Sequence, residues 1–134
     1  MKILFICKYN RFRSQLAEAW FRKLNRSRDF EVSSAGIIRG IPVAENVKKI
    51  GRKFGLKVKS KPKAIKEEFL IQQDLVVVVA NNVPASVFKS RVPKVLVWKI
   101  ADKSQNDLKG IEKTAEIIGK KVKNLIKKLE GVKK

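Results

Sequence analysis

Two uninterrupted apolar runs, Ile3-Leu4-Phe5-Ile6 near the start and Leu75-Val76-Val77-Val78-Val79-Ala80 in the middle, leave this chain few folds to choose from. A strand with one wet face alternates apolar and polar residues. A run without a polar member has to be covered on both faces, which is the position of a central strand in a parallel sheet. Parallel neighbours need long crossovers, and the segments between the runs have the periodicity of helices.

From Ser14 onward, Leu16, Ala17, Trp20, Phe21 and Leu24 recur at helical spacing, with Ser14 and Glu18 suited to the first turn. Val43 to Phe54 reads as a second helix with Val43, Val47, Ile50 and Phe54 inward and Gly55 just past its end. The clearest helix is the last. Leu108, Ile111, Ala115, Ile118, Val122, Leu125 and Leu129 alternate steps of three and four, Asp107 stands as N-cap, and the opposite face is a lysine-rich, solvated one. Further strands are expected at Phe30 to Ala35, closed by Gly36, and at Lys94 to Ile100. Residues 57 to 66, with five lysines and Pro62, form a basic connector, and Lys133 with Lys134 a frayed end.

Strand and helix thus alternate along the chain. The expected fold is α/β: a single three-layer domain over residues 1–134, with a four-stranded parallel sheet flanked by helices on both faces. A chain of 134 residues supports one core without disulfide staples, and no repeat or linker argues for a second domain. Ligands of such sheets bind beyond the carboxyl ends of the strands. Cys7, Ser34, Asn81 and Asp102 all fall at or just after expected strand ends, so they are candidates to converge on one site.

Cys7 is the only cysteine, placed where the first strand stops and the first helix is about to start, with Arg13 six residues on. A loop of backbone N–H groups feeding a helix N-terminus binds anions, and the same field favours a thiolate. The lone cysteine excludes an internal disulfide and is consistent with a reducing compartment. There is no histidine, so a Cys-His or Ser-His-Asp arrangement and a His-based metal site are excluded. Any chemistry at Cys7 has to be activated by dipoles and cations, with a carboxylic acid moving protons. Net charge is +20, which raises encounter rates with anionic partners without choosing among phosphorylated proteins, nucleotides, nucleic acid and acidic membrane. No apolar run is long enough to span a bilayer and the N-terminal run is too short for a signal peptide, so a cytoplasmic location is expected.

The segment Cys7-Lys8-Tyr9-Asn10-Arg11-Phe12-Arg13-Ser14, preceded by its strand and followed by Gln15-Leu16-Ala17-Glu18-Ala19-Trp20-Phe21, resembles the signature of the low-molecular-weight protein tyrosine phosphatase family, which also includes thiol-dependent arsenate reductases. Val32-Ser33-Ser34-Ala35-Gly36, Asp74-Leu75-Val76-Val77 and Ile100-Ala101-Asp102-Lys103 extend the likeness over nearly the whole chain. The resemblance implies that Cys7 attacks phosphorus to form a cysteinyl-phosphate. It implies that Lys8, Tyr9, Asn10, Arg11, Phe12, Arg13 and Ser14 form the phosphate-binding loop, with Arg13 as a bidentate clamp. Asn10 and Ser34 then hold the loop in shape, Ser14 donates to the thiolate, and Asp102 is the general acid. The implied substrate is a phosphorylated protein or a small aryl phosphate, with phosphate or sulfate as expected occupants of the loop and no cofactor or metal required.

The chain departs from the family pattern in four places. Tyr9 stands where glycine is usual, a steric problem if φ is positive there. Phe12 replaces a second cysteine that protects the nucleophile. Asp102 is followed by Lys103 and Ser104 rather than proline and aromatics, and Asn81-Asn82 replace a motif that often holds aspartate. Three functions stay open on sequence: a phosphatase, an arsenate reductase that pairs Cys7 with an external thiol, and a non-catalytic relative binding anions or nucleic acid, although no nucleic-acid motif is present.

Overall fold

A computed structural model of the protein describes residues 1–59 and 61–133. Four strands, β1 (Lys2–Cys7), β2 (Glu31–Gly36), β3 (Leu75–Val79) and β4 (Lys94–Trp98), form one parallel sheet in the order β2-β1-β3-β4. The two apolar runs are therefore the two interior strands. Ile3 to Ile6 and Val76 to Val79 have no measurable exposure, whereas edge strand β4 is only partly covered. The expected α/β fold with a four-stranded parallel sheet is observed.

Alternation of side chains across the pleat divides the core in two. Ile3, Phe5, Val77 and Val79 point to one side, beneath the long helices α1 (Arg13–Leu24), α2 (Glu45–Lys53) and α5 (Leu108–Lys133). Leu4, Ile6, Val76 and Val78 point to the other, where Leu70 of α3 (Glu67–Leu70) and Phe88 of α4 (Ser86–Lys89) cover them. Both short helices are single turns, too brief to leave a periodic signal in the sequence.

The seven periodic residues of α5 place Ile111, Ala115, Ile118 and Val122 at zero exposure. Asp107 caps this helix, its Oδ1 accepting from Gly110 N at 2.9 Å. Trp20 ties α1 to α5 by donating Nε1 to Ala115 O at 2.9 Å. Gly55, with φ +69°, ends α2 in the left-handed conformation that glycine tolerates. Lys133 is the last residue of α5, and Lys134, expected as a frayed end, lies outside the described residues.

Helix α1 begins at Arg13 with Phe12 as its N-cap and no side-chain cap, so Ser14 lies inside the first turn and its hydroxyl is used elsewhere.

Register sets Cys7, the last residue of β1, beside Gly36, the last of β2, so the loop after β1 leaves the sheet next to the end of β2. Because the long helices rest on a single apolar layer, Ile118→Ala is expected to cost roughly 2–5 kcal/mol of stability through lost burial and a residual cavity, measured by urea unfolding with an unchanged m-value.

Candidate active site

The loop from Cys7 to Phe12 turns sharply enough that Asn10 takes φ 54°, the one positive φ outside glycine among the described residues. Asparagine tolerates this region better than most side chains. Tyr9 is not in the left-handed region, so its bulk costs no backbone strain, and its ring lies 5.2 Å beneath Lys8 Nζ. Phe12 turns inward and packs into the core under α1.

The side chain of Asn10 organises the surrounding polar groups. Its Oδ1 accepts from the backbone N–H of Lys63 at 3.0 Å, which fixes the amide's orientation because a backbone N–H can only donate. Both hydrogens of Nδ2 are then committed, one to Ser14 Oγ at 2.8 Å and the other to Ser34 Oγ at 3.0 Å. Each serine accepts from Asn10 and so has its own proton to give away. Ser34 donates to Glu18 Oε1 at 2.6 Å. Ser14 Oγ lies 3.0 Å from Cys7 Sγ, within reach for its remaining proton to be given to a thiolate there. Cys7, Asn10, Ser14, Ser34 and Glu18 are all at most 2% exposed.

Glu18 is the group that sequence reasoning misplaced. It was expected only to suit the first turn of α1, yet it is buried and also pairs with Arg22 at 2.8 Å and with Lys59 Nζ at 2.9 Å. Burial pushes its pKa up, but the Ser34 hydroxyl, Lys59 and Arg22 outweigh that and hold the carboxyl below its ordinary value. Its position four residues after Ser14, hence on the same helix face and among apolar residues, is the signal that identifies it.

Arg13 is 1% exposed and points to the carboxyl ends of β3 and β4. Nη1 donates to Ile100 O at 2.7 Å and Nη2 to Asn82 Oδ1 at 3.1 Å, leaving each nitrogen a second hydrogen. Asp102 Oδ2 lies 4.0 Å from Nη2, on a carboxylate that is 43% exposed. Its other oxygen accepts from Lys103 N at 2.9 Å. Of the two asparagines after β3, it is Asn82 rather than Asn81 that reaches the site; Asn81 contributes only its backbone N–H, to Ile100 O. No spacing rule in the sequence distinguishes the two.

The remaining loop residues are held from outside. Gln15 donates to Asn10 O at 3.2 Å and accepts from Lys59 N at 3.2 Å, and Arg11 Nη2 reaches Pro42 O at 3.3 Å. Ile37 N, Ile38 N and Gly40 N donate to the carbonyls of Cys7, Lys8 and Tyr9. A Cβ on Gly36 would come within 2.8 Å of Asn10 N and Tyr9 C, so only glycine allows β2 to end against this loop. Among the described residues, no group of acidic and cysteine side chains is arranged to hold a metal ion.

Two outcomes are expected from this network. Gly36→Ala pushes backbone against backbone, and loss of phosphate or vanadate binding by more than about tenfold, with the fold retained by circular dichroism, is the expected result. Glu18 has a folded pKa below its unfolded value of 4.5, so its contribution is present above that pH and is lost as pH falls through the folded value. Wild type is accordingly expected to lose melting temperature as the pH drops below 4.5, and Glu18→Gln to show a smaller acid dependence from a lower starting stability.

A family model described as low molecular weight phosphotyrosine protein phosphatase matches residues 2–134. No curated protein matches the chain. Among solved structures, an arsenate reductase from Archaeoglobus fulgidus is similar at 30% identity, covering 92% of this chain and 98% of its own, with a TM-score of 0.77. A low molecular weight protein tyrosine phosphatase from T. tengcongensis is similar at 26% identity, covering 96% and 99%, with a TM-score of 0.82. The YwlE arginine phosphatase from Geobacillus stearothermophilus shares the fold at 19% identity, covering 97% and 93%, with a TM-score of 0.85. The match over the chain, together with a cysteine loop between β1 and α1, establishes that this chain belongs to the low molecular weight phosphotyrosine protein phosphatase family.

Proposed function

We propose that the protein is a cysteine-dependent phosphatase that hydrolyses phosphotyrosine or other aryl phosphate monoesters. The observation that carries this reading is the buried hydrogen-bond chain from Asn10 through Ser14 to Cys7, which sets a hydroxyl 3.0 Å from the sulfur at the start of the loop. In the first step the Cys7 sulfur attacks phosphorus, the P–O bond to the aryl group breaks, and Asp102 gives its proton to the departing oxygen. In the second, water attacks the cysteinyl-phosphate, the P–S bond breaks, and Asp102 takes the proton from water. Arg13 and the loop amides from Lys8 to Ser14 bind the equatorial oxygens, whose charge is spread over the transition state.

The Arg13 guanidinium is suited to this clamp because Ile100 O and Asn82 hold its plane while its free hydrogens remain. Asp102 lies on the exposed side of Arg13, where a leaving group departs toward solvent. No helix among the described residues is long and apolar enough to cross a membrane.

A second reading rests on the 30% identity to the arsenate reductase from Archaeoglobus fulgidus. With Cys7 as the single thiol, reduction of arsenate to arsenite has to draw its second thiol from an external donor, leaving a mixed disulfide on Cys7. Measuring p-nitrophenyl phosphate hydrolysis against arsenate-dependent oxidation of a small thiol separates the two.

Under the phosphatase reading, Cys7→Ser reduces p-nitrophenyl phosphate turnover to background. Arg13→Lys, which keeps the charge but not the fork, lowers kcat by on the order of 10²–10³. Asp102→Asn lowers kcat by about 10²–10⁴ for alkyl-like leaving groups and far less for p-nitrophenol, which needs little protonation. Wild-type rates in Cys7→Ser would refute the reading.

A further inference from the structure

Charge is distributed unevenly around this site. Three segments meet there: residues 7–13, residues 36–44 and the described parts of the connector, 57–59 and 61–66. Together they carry Lys8, Arg11, Arg13, Arg39 and five lysines, and no aspartate or glutamate. On the outer face of α5, by contrast, Glu112, Glu116 and Glu130 are interspersed with the lysines, so a single-sign surface is not simply the chain's average.

These segments are fastened to the loop. Gly40 N donates to Tyr9 O at 3.1 Å, Lys63 N donates to Asn10 Oδ1 at 3.0 Å, and Gly36 N donates to Lys63 O at 2.8 Å. Between them opens a groove of about 480 Å³ lined by Arg39, Gly40, Ile41, Pro42, Lys61 and Pro62. Beside the cations, Ile38 and Ile41 are 52% and 66% exposed, among the most exposed large apolar residues of the molecule. Arg11 Nε is buried without a hydrogen-bond partner among the described residues.

A groove that pairs aliphatic side chains with cations and has no acid matches an extended peptide bearing aliphatic and acidic residues. Single-stranded nucleic acid fits less well, because stacking needs an open aromatic face, and the one aromatic here, Tyr9, is covered by Lys8. We propose that the face formed by residues 37–42 with Lys61 and Pro62 docks the acidic, aliphatic sequence flanking the phosphorylated residue of a protein substrate. This rests on the phosphatase reading and narrows it to acidic phosphoproteins. The groove adjoins the loop through Gly40, whose added Cβ would lie 2.9 Å from Tyr9 Cβ, so a peptide bound there runs directly from the reacting phosphate.

Two phosphotyrosine peptides differing only in flanks, one with Glu, Asp and Leu and the other with Gln, Asn and Leu, test the inference with p-nitrophenyl phosphate as a small reference. Wild type is expected to favour the acidic peptide by on the order of tenfold in kcat/KM at low salt. That preference should vanish in about 1 M salt, where the screening length is ~3 Å, and in the double variant Arg39→Gln with Lys61→Gln, while p-nitrophenyl phosphate turnover by that variant stays at wild-type level. Equal efficiencies for the two peptides alongside p-nitrophenyl phosphate turnover overturn the docking inference and leave the phosphatase reading intact. Stronger inhibition of p-nitrophenyl phosphate turnover by polyuridylate than by polyglutamate also overturns it, in favour of nucleic acid. Absence of any turnover overturns the phosphatase reading instead; affinities of Cys7→Ser for the two peptides then decide the docking surface, and equal affinities refute it.

Discussion

The two N–H bonds of the Asn10 carboxamide are the point on which the site depends. One reaches Ser14, whose hydroxyl contacts Cys7, and the other reaches Ser34, whose hydroxyl donates to Glu18. The orientation is imposed by Lys63 N on the opposite side of the amide, and the backbone at Asn10 is left-handed, which few other residues accept. An aspartate there would bring acceptors where two donors are needed, and a glutamine would move the amide out by a methylene. A buried network of this kind is useful only when every member is satisfied, since each orphaned donor or acceptor costs its full desolvation.

That network accounts for how a short loop keeps its shape. Glu18 gives it a fixed anionic end, held ionised by Arg22 and Lys59, and the sulfur is the other end. The sheet supplies the frame. Because β1 and β2 end in register at Cys7 and Gly36, and Asn82 and Ile100 follow the paired ends of β3 and β4 at Val79 and Trp98, groups distant in sequence are brought to one edge. The same convergence brings Arg39 and Lys61 to one groove beside the loop.

The fold was largely legible because burial on both faces is a demanding condition. Apolar runs at Ile3 to Ile6 and Leu75 to Ala80 identified the interior strands, and the steps of three and four from Leu108 to Leu129 identified α5. The turns α3 and α4 were not legible, since a four-residue helix repeats no period. Ser14 stands in the first turn of α1, as its place before the apolar period suggests, and its hydroxyl lies 3.0 Å from the sulfur, the contact that the family resemblance implies.

The sequence by itself determined which chemistry is available: one thiol, no histidine, an arginine six residues on, and two central strands that require a parallel sheet. These follow from composition and periodicity, which depend on near neighbours along the chain. Only the tertiary structure decided which polar groups meet. That Glu18 faces Ser34 rather than solvent, that Asn82 and not Asn81 holds Arg13, and that Asp102 lies 4.0 Å from that arginine are set by strand register and helix packing. Hydrogen bonds over separations of 16 to 87 residues have no periodic signature, so they become visible only once the sheet has brought its strand ends together.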